Sequence, residues 1–231
     1  MTPYRCVLFD LDHTLWDYDA NSEEALCQLY AKHQLSARGL GPFSPFFKAF
    51  LSVNADLWRQ YDLGLIGRAV IRDQRFHRVF CSLGVDDYPL SQRVSEEYAA
   101  LSPTKKKLLP NALTTLEYLK EKYTLGIVTN GFEDVQKVKM ASSGIQSYFQ
   151  IVVTSEQAGY RKPAREIFDY ALARSGCQAR EVIMVGDNLL TDICGARNAQ
   201  ITTAFFNPAK IVHQEQVHYE IRDLLELKQI L

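Results

Sequence analysis

Residues 4–14, YRCVLFDLDHT, are the clearest indication of the fold class. Residues 4–9 are mostly apolar with little alternation, which is typical of a strand buried on both faces of a parallel sheet. Asp10, Asp12 and Thr14 follow at once. Because the carboxyl ends of strands in an open α/β sheet face the ligand crevice, we expect these side chains to lie there. An ordinary turn is the competing interpretation, since Asp and Thr favour turns and caps.

The rest of the chain alternates short apolar runs with helical patterns. The predicted strands after the first are residues 125–128, 151–153, 182–185 and 202–206. The predicted helices between and beside them are residues 112–122, 134–142, 163–174 and 190–198. This alternation predicts an α/β fold, a Rossmann-like, doubly wound parallel sheet with right-handed crossovers.

One long segment interrupts the alternation directly after the first strand. Residues 17–101 contain no convincing buried strand, only helical patterns such as 22–33, 46–61 and 68–83. We expect an inserted α-helical cap domain at 17–101 and an α/β core domain built from 1–16 and 102–231. The alternative is that these helices pack into one larger core.

Composition limits the classes of partner. The chain has 231 residues, 26 basic and 27 acidic, so no global field attracts nucleic acid or an anionic membrane. No apolar run approaches the roughly 18 residues of a membrane span, and residues 1–10 lack the layout of a signal peptide. Five dispersed cysteines without a CxxC pattern suggest reduced thiols in a cytoplasmic protein. Five scattered histidines give a zinc site little support.

Three later strand ends also carry polar residues. Thr129 and Asn130 follow the second predicted strand, where a hydroxyl and backbone N–H groups can cradle an anion. Lys162 precedes a predicted helix, where its ammonium and the helix N-terminus can face a phosphate. Asp187 and Asp192 follow the run 182–185 and offer the oxygen ligands that Mg²⁺ prefers. A plain turn, a solvated lysine and a helix cap are the respective alternatives.

The joint placement of these residues favours a catalytic site over a separate turn, solvated lysine and helix cap. All lie at or just beyond the carboxyl ends of predicted strands, so folding brings them to one edge of the sheet. The set contains a nucleophile, a second carboxylate, a hydroxyl, an ammonium and a metal-binding pair. It predicts a phosphoryl-transfer site.

In order and spacing, these motifs resemble those of the haloacid dehalogenase-like superfamily, in its phosphatase branch with a helical cap. The resemblance covers nearly the whole chain through residues 10–14, Thr129, Lys162 and residues 186–192. Residues 129–132 followed by Gln136, together with cap residues such as Leu57-Trp58 and Arg75-Phe76, are similar to bacterial pyrimidine 5′-nucleotidases of the house-cleaning type. His13 is uncommon at its position in that superfamily.

The resemblance implies a mechanism. Asp10 attacks phosphorus and forms an aspartyl-phosphate, while Asp12 protonates the leaving alcohol and later deprotonates the hydrolytic water. The first of these tasks needs a protonated Asp12, and we expect nearby carboxylates and a closed cap to raise its pKa. Mg²⁺ is expected between Asp10, Asp187 and the backbone carbonyl of Asp12.

The resemblance also implies roles for the remaining polar residues. Thr129, Asn130 and Lys162 are expected to bind the substrate phosphate, and Asp192 to orient Lys162 or a metal-bound water. Three cap residues are candidates for substrate specificity: Asn54, Trp58 and Arg75. Core packing is the alternative for the tryptophan.

Several functions remain open on the sequence alone. A nucleoside 5′-monophosphate is the leading substrate, and another small phosphate ester, such as phosphoglycolate or a sugar phosphate, is the alternative. A phosphomutase shares the motifs, whereas a haloacid dehalogenase has no use for an acid at Asp12. From another class, a phospho-switch binding protein also carries an aspartyl-phosphate. The expected partner is a small-molecule phosphate ester, with the chain acting as a monomer or homodimer.

Overall fold

The computed structural model describes residues 4–231, which form two compact units. The first unit contains the residues up to 18 and residues 106–231, and the second contains residues 19–105. The divisions therefore lie at 18/19 and 105/106, where the sequence suggested 16/17 and 101/102. The later second division reflects a 3₁₀ turn, Ser102–Thr104, which continues directly from the preceding helix. That the second unit works as a cap stays a prediction.

The first unit contains a six-stranded sheet. Its strands are β1 (Cys6–Phe9), β2 (Thr124–Thr129), β3 (Ile151–Thr154), β4 (Val182–Gly186), β5 (Thr202–Phe206) and β6 (Tyr219–Ile221). They lie in the order β3-β2-β1-β4-β5-β6, and every neighbouring pair is parallel. The predicted α/β class is confirmed.

Ten α-helices and several short helical turns complete the chain over the described residues. The helices are α1 (Tyr18–Lys32), α2 (Phe43–Asp62), α3 (Arg68–Ser82), α4 (Tyr88–Leu101), α5 (Ala112–Leu119), α6 (Glu133–Ser142), α7 (Ser155–Ala158), α8 (Arg165–Ser175), α9 (Gly195–Asn198) and α10 (Leu227–Ile230). Besides Ser102–Thr104, the short turns are Ser36–Leu40, Gln146–Tyr148, Ala179–Glu181, Leu189–Cys194 and Leu224–Glu226.

Burial of β1 on both faces explains its apolar sequence. Val7 and Phe9 belong to one hydrophobic cluster and Cys6 and Leu8 to another, and all four side chains are fully buried. Because alternate residues of a strand point to opposite faces, the two clusters lie on the two sides of the sheet. A strand of this kind has no polar face, so its sequence shows no alternation.

Several elements differ from the sequence prediction. The helix predicted over 190–198 is a short turn, Leu189–Cys194, followed by the four-residue helix α9. β6 was not predicted, because it has only three residues and two of them, Tyr219 and Glu220, are exposed. The helix predicted over 163–174 begins at Arg165, after a turn in which the Ala164 N–H donates to the Arg161 carbonyl at 2.8 Å.

The strand order creates a crevice beside β1. From β1 the chain builds β2 and β3 on one side, then returns to place β4, β5 and β6 on the other. The order therefore reverses between β1 and β4, and ligands of doubly wound sheets bind outside the carboxyl ends at such a point.

The second unit is helical and has a core of its own. It contains α2, α3, α4 and all but the first residue of α1. Aromatic side chains dominate this core, including Phe46, Phe50, Phe76, Phe80 and Tyr98. Within residues 4–231, none of the helices combines the length and apolar character needed to cross a membrane. The cytoplasmic location suggested by the sequence stays a prediction.

Candidate active site

Asp10 lies immediately beyond β1, at the reversal point of the sheet. Its backbone N–H donates to the carbonyl of Val185 in β4 at 2.9 Å, which extends the pairing of the two strands by one residue. The side chain is buried, and its Oδ1 accepts a hydrogen bond from Lys162 Nζ at 2.6 Å. The first carboxylate of the motif is therefore fixed against an ammonium from a segment 152 residues away.

Lys162 is shared between two carboxylates. Its Nζ also donates to Asp192 Oδ1 at 2.6 Å, and all three side chains are buried. Burial favours the neutral amine, but the charges of Asp10 and Asp192 outweigh that effect and raise the pKa of Lys162. The lysine is thus a permanent cation at the carboxyl edge of the sheet.

Asn130 holds the backbone of Lys162. Its Oδ1 accepts from the Lys162 N–H at 2.8 Å, and its Nδ2 donates to the Lys162 carbonyl at 2.9 Å. These two bonds join the segment after β2 to the segment after β3. They assign the Asn130 side chain a positioning task in this structure, while phosphate binding by Asn130 stays a prediction.

Asp187 and Asp192 come from the turn after β4. Asp187 Oδ1 accepts a hydrogen bond from Thr14 Oγ1 at 3.0 Å, which ties this turn to the loop after β1. Asp192 Oδ2 accepts from the Asn188 N–H at 3.0 Å. A Cβ on Gly186 would lie 2.3 Å from that same Oδ2, so the close approach requires glycine.

The donor set of this cluster fits a hard cation. Carboxylate oxygens of Asp10, Asp187 and Asp192 lie within 4.8 Å of one another. Burial, then the charge of Asp192, raises the pKa of Asp187 to about 7, and burial likewise raises the pKa of Asp10. Three crowded carboxylates beside one ammonium leave an excess of negative charge. A divalent cation that prefers oxygen ligands, such as Mg²⁺, would balance it.

Asp12 occupies the opposite electrostatic environment. Its carboxylate accepts from Lys139 Nζ at 2.6 and 2.8 Å and from Gln136 Nε2 at 2.9 Å. Burial alone would raise the pKa of Asp12. The charge and hydrogen bonds of Lys139, together with the hydrogen bond from Gln136, outweigh burial and lower this pKa. The expectation of a raised pKa is therefore wrong for this structure, because a lysine rather than a carboxylate adjoins Asp12.

Thr129 ends β2 with a buried hydroxyl. Its Oγ1 accepts from the Gly131 N–H at 3.0 Å and from Gln136 Nε2 at 2.8 Å. Gln136 therefore bridges Thr129 and Asp12. Because the oxygen accepts twice, the hydroxyl proton is directed away from these two donors.

The predicted specificity residues lie in the second unit. Asn54 on α2 and Arg75 on α3 are brought together, with Arg75 Nη1 donating to Asn54 Oδ1 at 3.1 Å. The guanidinium of Arg75 lies 4.7 Å from the ring centre of Tyr98. Trp58 is partly buried one turn after Asn54, and its ring meets that of Tyr61 edge-on at 5.4 Å. Their contact with substrate stays a prediction.

Lys139 and the role of Thr14 were not predicted from the sequence. Lys139 is on α6, and its ammonium also lies 4.5 Å from the ring centre of Trp16. Gln136, Lys139 and Met140 are spaced i, i+3, i+4, and all three are buried. The sequence signal for Lys139 is its place on the apolar stripe of a helix. That helix follows a strand that carries a site residue.

Comparisons with known proteins relate the chain to one family. A family model described as haloacid dehalogenase-like hydrolase matches residues 73–206. The chain is 31% identical to the pyrimidine 5′-nucleotidase YjjG of Escherichia coli over 97% of this chain and 96% of that protein. It is 32% identical to the pyrimidine 5′-nucleotidase PynA of Streptococcus pneumoniae over 96% of this chain and 94% of that protein.

A solved structure is similar over the full length. The HAD-hydrolase YfnB from Bacillus subtilis, in a magnesium-bound crystal form, superposes with a TM-score of 0.88 and 28% identity. The match covers 99% of this chain and 98% of that one.

Proposed function

The chain belongs to the haloacid dehalogenase-like hydrolase family, and from that membership we propose that it is a Mg²⁺-dependent phosphatase acting through an aspartyl-phosphate on Asp10. The observation that carries the proposal is the buried cluster at the reversal point of the sheet. There Asp10 lies 2.6 Å from the Lys162 ammonium and beside the carboxylates of Asp187 and Asp192. A nucleophile, a cation and an oxygen-rich cation site meet in one place.

In the first step an Asp10 oxygen attacks phosphorus. A bond forms between that oxygen and phosphorus, and the bond from phosphorus to the ester oxygen breaks. The electron pair leaves with the ester oxygen, which takes a proton from Asp12 and departs as an alcohol. Lys162 and the Thr129 hydroxyl stabilise the charge on the transferring oxygens.

In the second step water cleaves the acyl phosphate. The water oxygen bonds to phosphorus while Asp12 accepts a proton from the water. The bond from phosphorus to the Asp10 oxygen breaks, which frees the Asp10 carboxylate and inorganic phosphate. The ion pair with Lys139 holds Asp12 ionised, which is the form that this step needs. The first step needs the protonated form, so substrate binding must accompany proton uptake at Asp12 or loosening of its contact with Lys139.

We assign the cation ligands to Asp10, Asp187 and the backbone carbonyl of Asp12. Bound Mg²⁺ would offset the repulsion between the carboxylates and the substrate phosphate. Asp192 is better suited to positioning, because its Oδ1 holds Lys162 and its Oδ2 accepts from the Asn188 N–H.

Nucleoside 5′-monophosphates are the substrate class we propose, with pyrimidine nucleotides preferred. Support comes from the two pyrimidine 5′-nucleotidases, which are similar to this chain from end to end. The fold and active-site cluster alone would serve many phosphate esters equally.

The test is phosphate release from a panel of esters with and without Mg²⁺. The panel contains UMP, dUMP, dTMP and AMP together with phosphoglycolate and sugar phosphates. We expect Mg²⁺-dependent release, fastest from the pyrimidine nucleotides and abolished in Asp10→Asn. Asp169→Asn removes an exposed carboxylate on α8 and serves as the matched control, with activity retained.

Other outcomes separate the parts of the proposal. Preference for a different ester contradicts the nucleotide assignment and leaves the mechanism standing. Release that survives in Asp10→Asn, or no release from any ester, contradicts the mechanism. Isomerisation of a sugar monophosphate in the presence of the sugar bisphosphate, without net phosphate release, would identify a phosphomutase instead.

A further inference from the structure

A second cluster of metal-binding side chains lies in the helical unit. His77 and Cys81 are four residues apart on α3, so they share one face of the helix. Cys81 Sγ lies 3.8 Å from His77 Nδ1 and 3.7 Å from Nε2. Asp86 Oδ1, from the loop after α3, lies 4.0 Å from His77 Nδ1. One ligand atom from each residue falls within 4.8 Å of the others.

These separations are close to those around a tetrahedral zinc ion. With Zn–S of about 2.3 Å and Zn–N of about 2.1 Å, tetrahedral ligands lie about 3.6 Å apart. The sulfur–nitrogen distances of 3.7 and 3.8 Å need little adjustment to reach that value. A shift of the aspartate toward the ring, by rotation of an exposed side chain, completes the set.

The backbone around Asp86 holds it beside α3. At the end of α3 the Gly84 N–H donates to the Cys81 carbonyl and the Val85 N–H to the Phe80 carbonyl, both at 3.0 Å, which is a Schellman motif. Gly84 has φ of +82°, a conformation that favours glycine. The next helix begins at once, since Asp87 accepts from the Leu90 N–H at 2.9 Å. Asp86 therefore sits between two fixed turns.

The ring of His77 is also oriented by its neighbours. It meets the ring of Tyr88 edge-on, with centres 5.1 Å apart and planes at 82°. The imidazole is partly exposed, and Cys81 and Asp86 are exposed, so an ion reaches all three ligands from solvent.

We propose that His77, Cys81 and Asp86 form a second metal site, which binds Zn²⁺ or a similarly soft divalent cation. The three side chains supply nitrogen, sulfur and oxygen, and water takes the fourth position. The Cys81 thiol loses its proton to solvent as the zinc–sulfur bond forms. The bound ion would fasten the end of α3 to the loop that leads into α4.

The ligand chemistry separates this site from the active site. Asp10, Asp187 and Asp192 offer oxygen alone, which suits Mg²⁺. A thiolate and an imidazole select zinc, cobalt or cadmium over magnesium. The scattered histidines did not favour a zinc site, and the geometry of the loop after α3 brings an aspartate to the His77–Cys81 pair.

Cobalt is the probe, because a cobalt–thiolate bond gives a charge-transfer absorption in the near ultraviolet that carboxylates do not give. The full chain is titrated with Co²⁺ in excess Mg²⁺, which occupies the active site. We expect the band to saturate at one Co²⁺ per chain and to disappear when one equivalent of Zn²⁺ is added. No band, or a band that Zn²⁺ leaves unchanged, overturns the proposal.

Variants locate the site. Cys81→Ser should abolish the cobalt–thiolate band and weaken zinc binding more than about 100-fold, since even outer partners of a metal ligand contribute about 10–100-fold. Cys27→Ser, which changes another exposed cysteine of the same unit, is the matched control and should keep the band. A band that survives in Cys81→Ser overturns the assignment.

A measurement on the unmodified chain removes any dependence on variant folding. Alkylation followed by mass spectrometry reports each cysteine separately. Zn²⁺ should slow the labelling of Cys81 at least about tenfold and leave the labelling of Cys27 unchanged. Equal labelling of Cys81 with and without Zn²⁺ contradicts the proposal.

Discussion

Two aspartates only two positions apart are placed in opposite electrostatic environments. Asp10 shares one ammonium with Asp192 and lies near Asp187, and burial raises its pKa. Asp12 has an ammonium of its own, Lys139, and its pKa is lowered despite burial. When their environments shift the pKa values of two neighbouring carboxyl groups in opposite directions, one site can use the two groups in different chemical roles. The division depends on lysines from separate segments, Lys162 before α8 and Lys139 on α6.

Removing the charge of Lys139 should impair catalysis through the loss of its ion pair with Asp12. Lys139→Met leaves the half-buried Asp12 carboxylate without its cation and misorients it. We expect kcat to fall about 100-fold, the scale of a general acid–base contribution, and stability to fall by about 1–3 kcal/mol. Steady-state kinetics and urea unfolding measure the two effects.

Lys137→Met is the matched control for this prediction. Lys137 is on the same helix but exposed, so its loss should leave kcat and stability unchanged. Equal kcat values for Lys139→Met and the unmodified chain would contradict the assigned role of Lys139.

Burial also controls the reactivity of Cys6. Burial, with a smaller contribution from Cys177, raises the pKa of the Cys6 thiol to about 12. At pH 8 only about one Cys6 in ten thousand is then a thiolate, the reactive form. With a chelator present, exposed Cys27 and Cys81 should react quickly with a thiol reagent and Cys6 only after unfolding.

The raised pKa of Cys6 makes folding stability depend on pH. The folded state holds the Cys6 proton more tightly than the unfolded state, whose thiol has a pKa near 9.0. This contribution to stability is complete below pH 9 and is lost as the pH rises toward 12. Labelling of Cys6 in the folded chain as fast as that of Cys27 would show that β1 opens readily.

At the scale of elements, buried strands were predictable and the edge strand was not. β1 and β4 pack on both faces, so their apolar runs are unbroken and their ends could be identified from sequence. β6 packs through little more than Ile221, and three residues leave no pattern. The site residues at strand ends were predictable for the same reason as the strands. Lys139 was missed, because its signal is a charged residue on the apolar stripe of a helix and not a polar residue at a strand end.

The turn after β4 depends on the absence of a side chain at Gly186. A Cβ there would lie 2.3 Å from Asp192 Oδ2 and 2.5 Å from its Cγ. Gly186→Ala should therefore displace Asp192 from Lys162, lower kcat more than about 100-fold and destabilise the chain by about 1–3 kcal/mol. Kinetics and thermal unfolding measure both effects.

Gly67→Ala provides the comparison for Gly186→Ala. Gly67 precedes α3 with negative φ, and no atom lies within 4 Å of a Cβ added there. The variant should keep wild-type activity and stability within about 0.5 kcal/mol. Full activity in Gly186→Ala would contradict the requirement for Asp192 at its position beside Lys162.

At the scale of the whole molecule, topology assembles the site from distant parts of the chain. Residues 10–14, 129–139, 162 and 187–192 are far apart in sequence, and parallel pairing brings their strands' carboxyl ends to one edge. The chain's net charge of −1 gives no overall attraction for a phosphate ester. Capture of an anion therefore depends on this local cluster, and because of its excess carboxylate charge we expect a bound cation to raise stability.

Asp187→Asn should raise stability in the absence of Mg²⁺ and reduce the stabilisation that Mg²⁺ gives. At pH 8 the half-buried Asp187 carboxylate is ionised at a cost, because its pKa is raised to about 7. Without Mg²⁺ the variant should melt a few degrees higher than the unmodified chain, at about 2–4 °C per kcal/mol. Mg²⁺ at about 100 times its Kd should stabilise the unmodified chain by about 2.7 kcal/mol and the variant far less.

Thermal unfolding with and without Mg²⁺ distinguishes the outcomes for Asp187→Asn. The control is Asp169→Asn, whose exposed carboxylate lies on α8 and should leave the Mg²⁺ response unchanged. An unfolding temperature of Asp187→Asn that responds to Mg²⁺ as strongly as that of the unmodified chain would remove Asp187 from the cation site.

The most direct measurement is to trap the covalent intermediate on Asp10. The chain is mixed with a turned-over phosphate ester and Mg²⁺, quenched in acid within the first turnover and treated with borohydride, which reduces an acyl phosphate to an alcohol. Peptide mass spectrometry should then find homoserine at position 10 and unchanged aspartate at position 12. Continued turnover without reduction at position 10, or reduction at another residue, would contradict attack by Asp10.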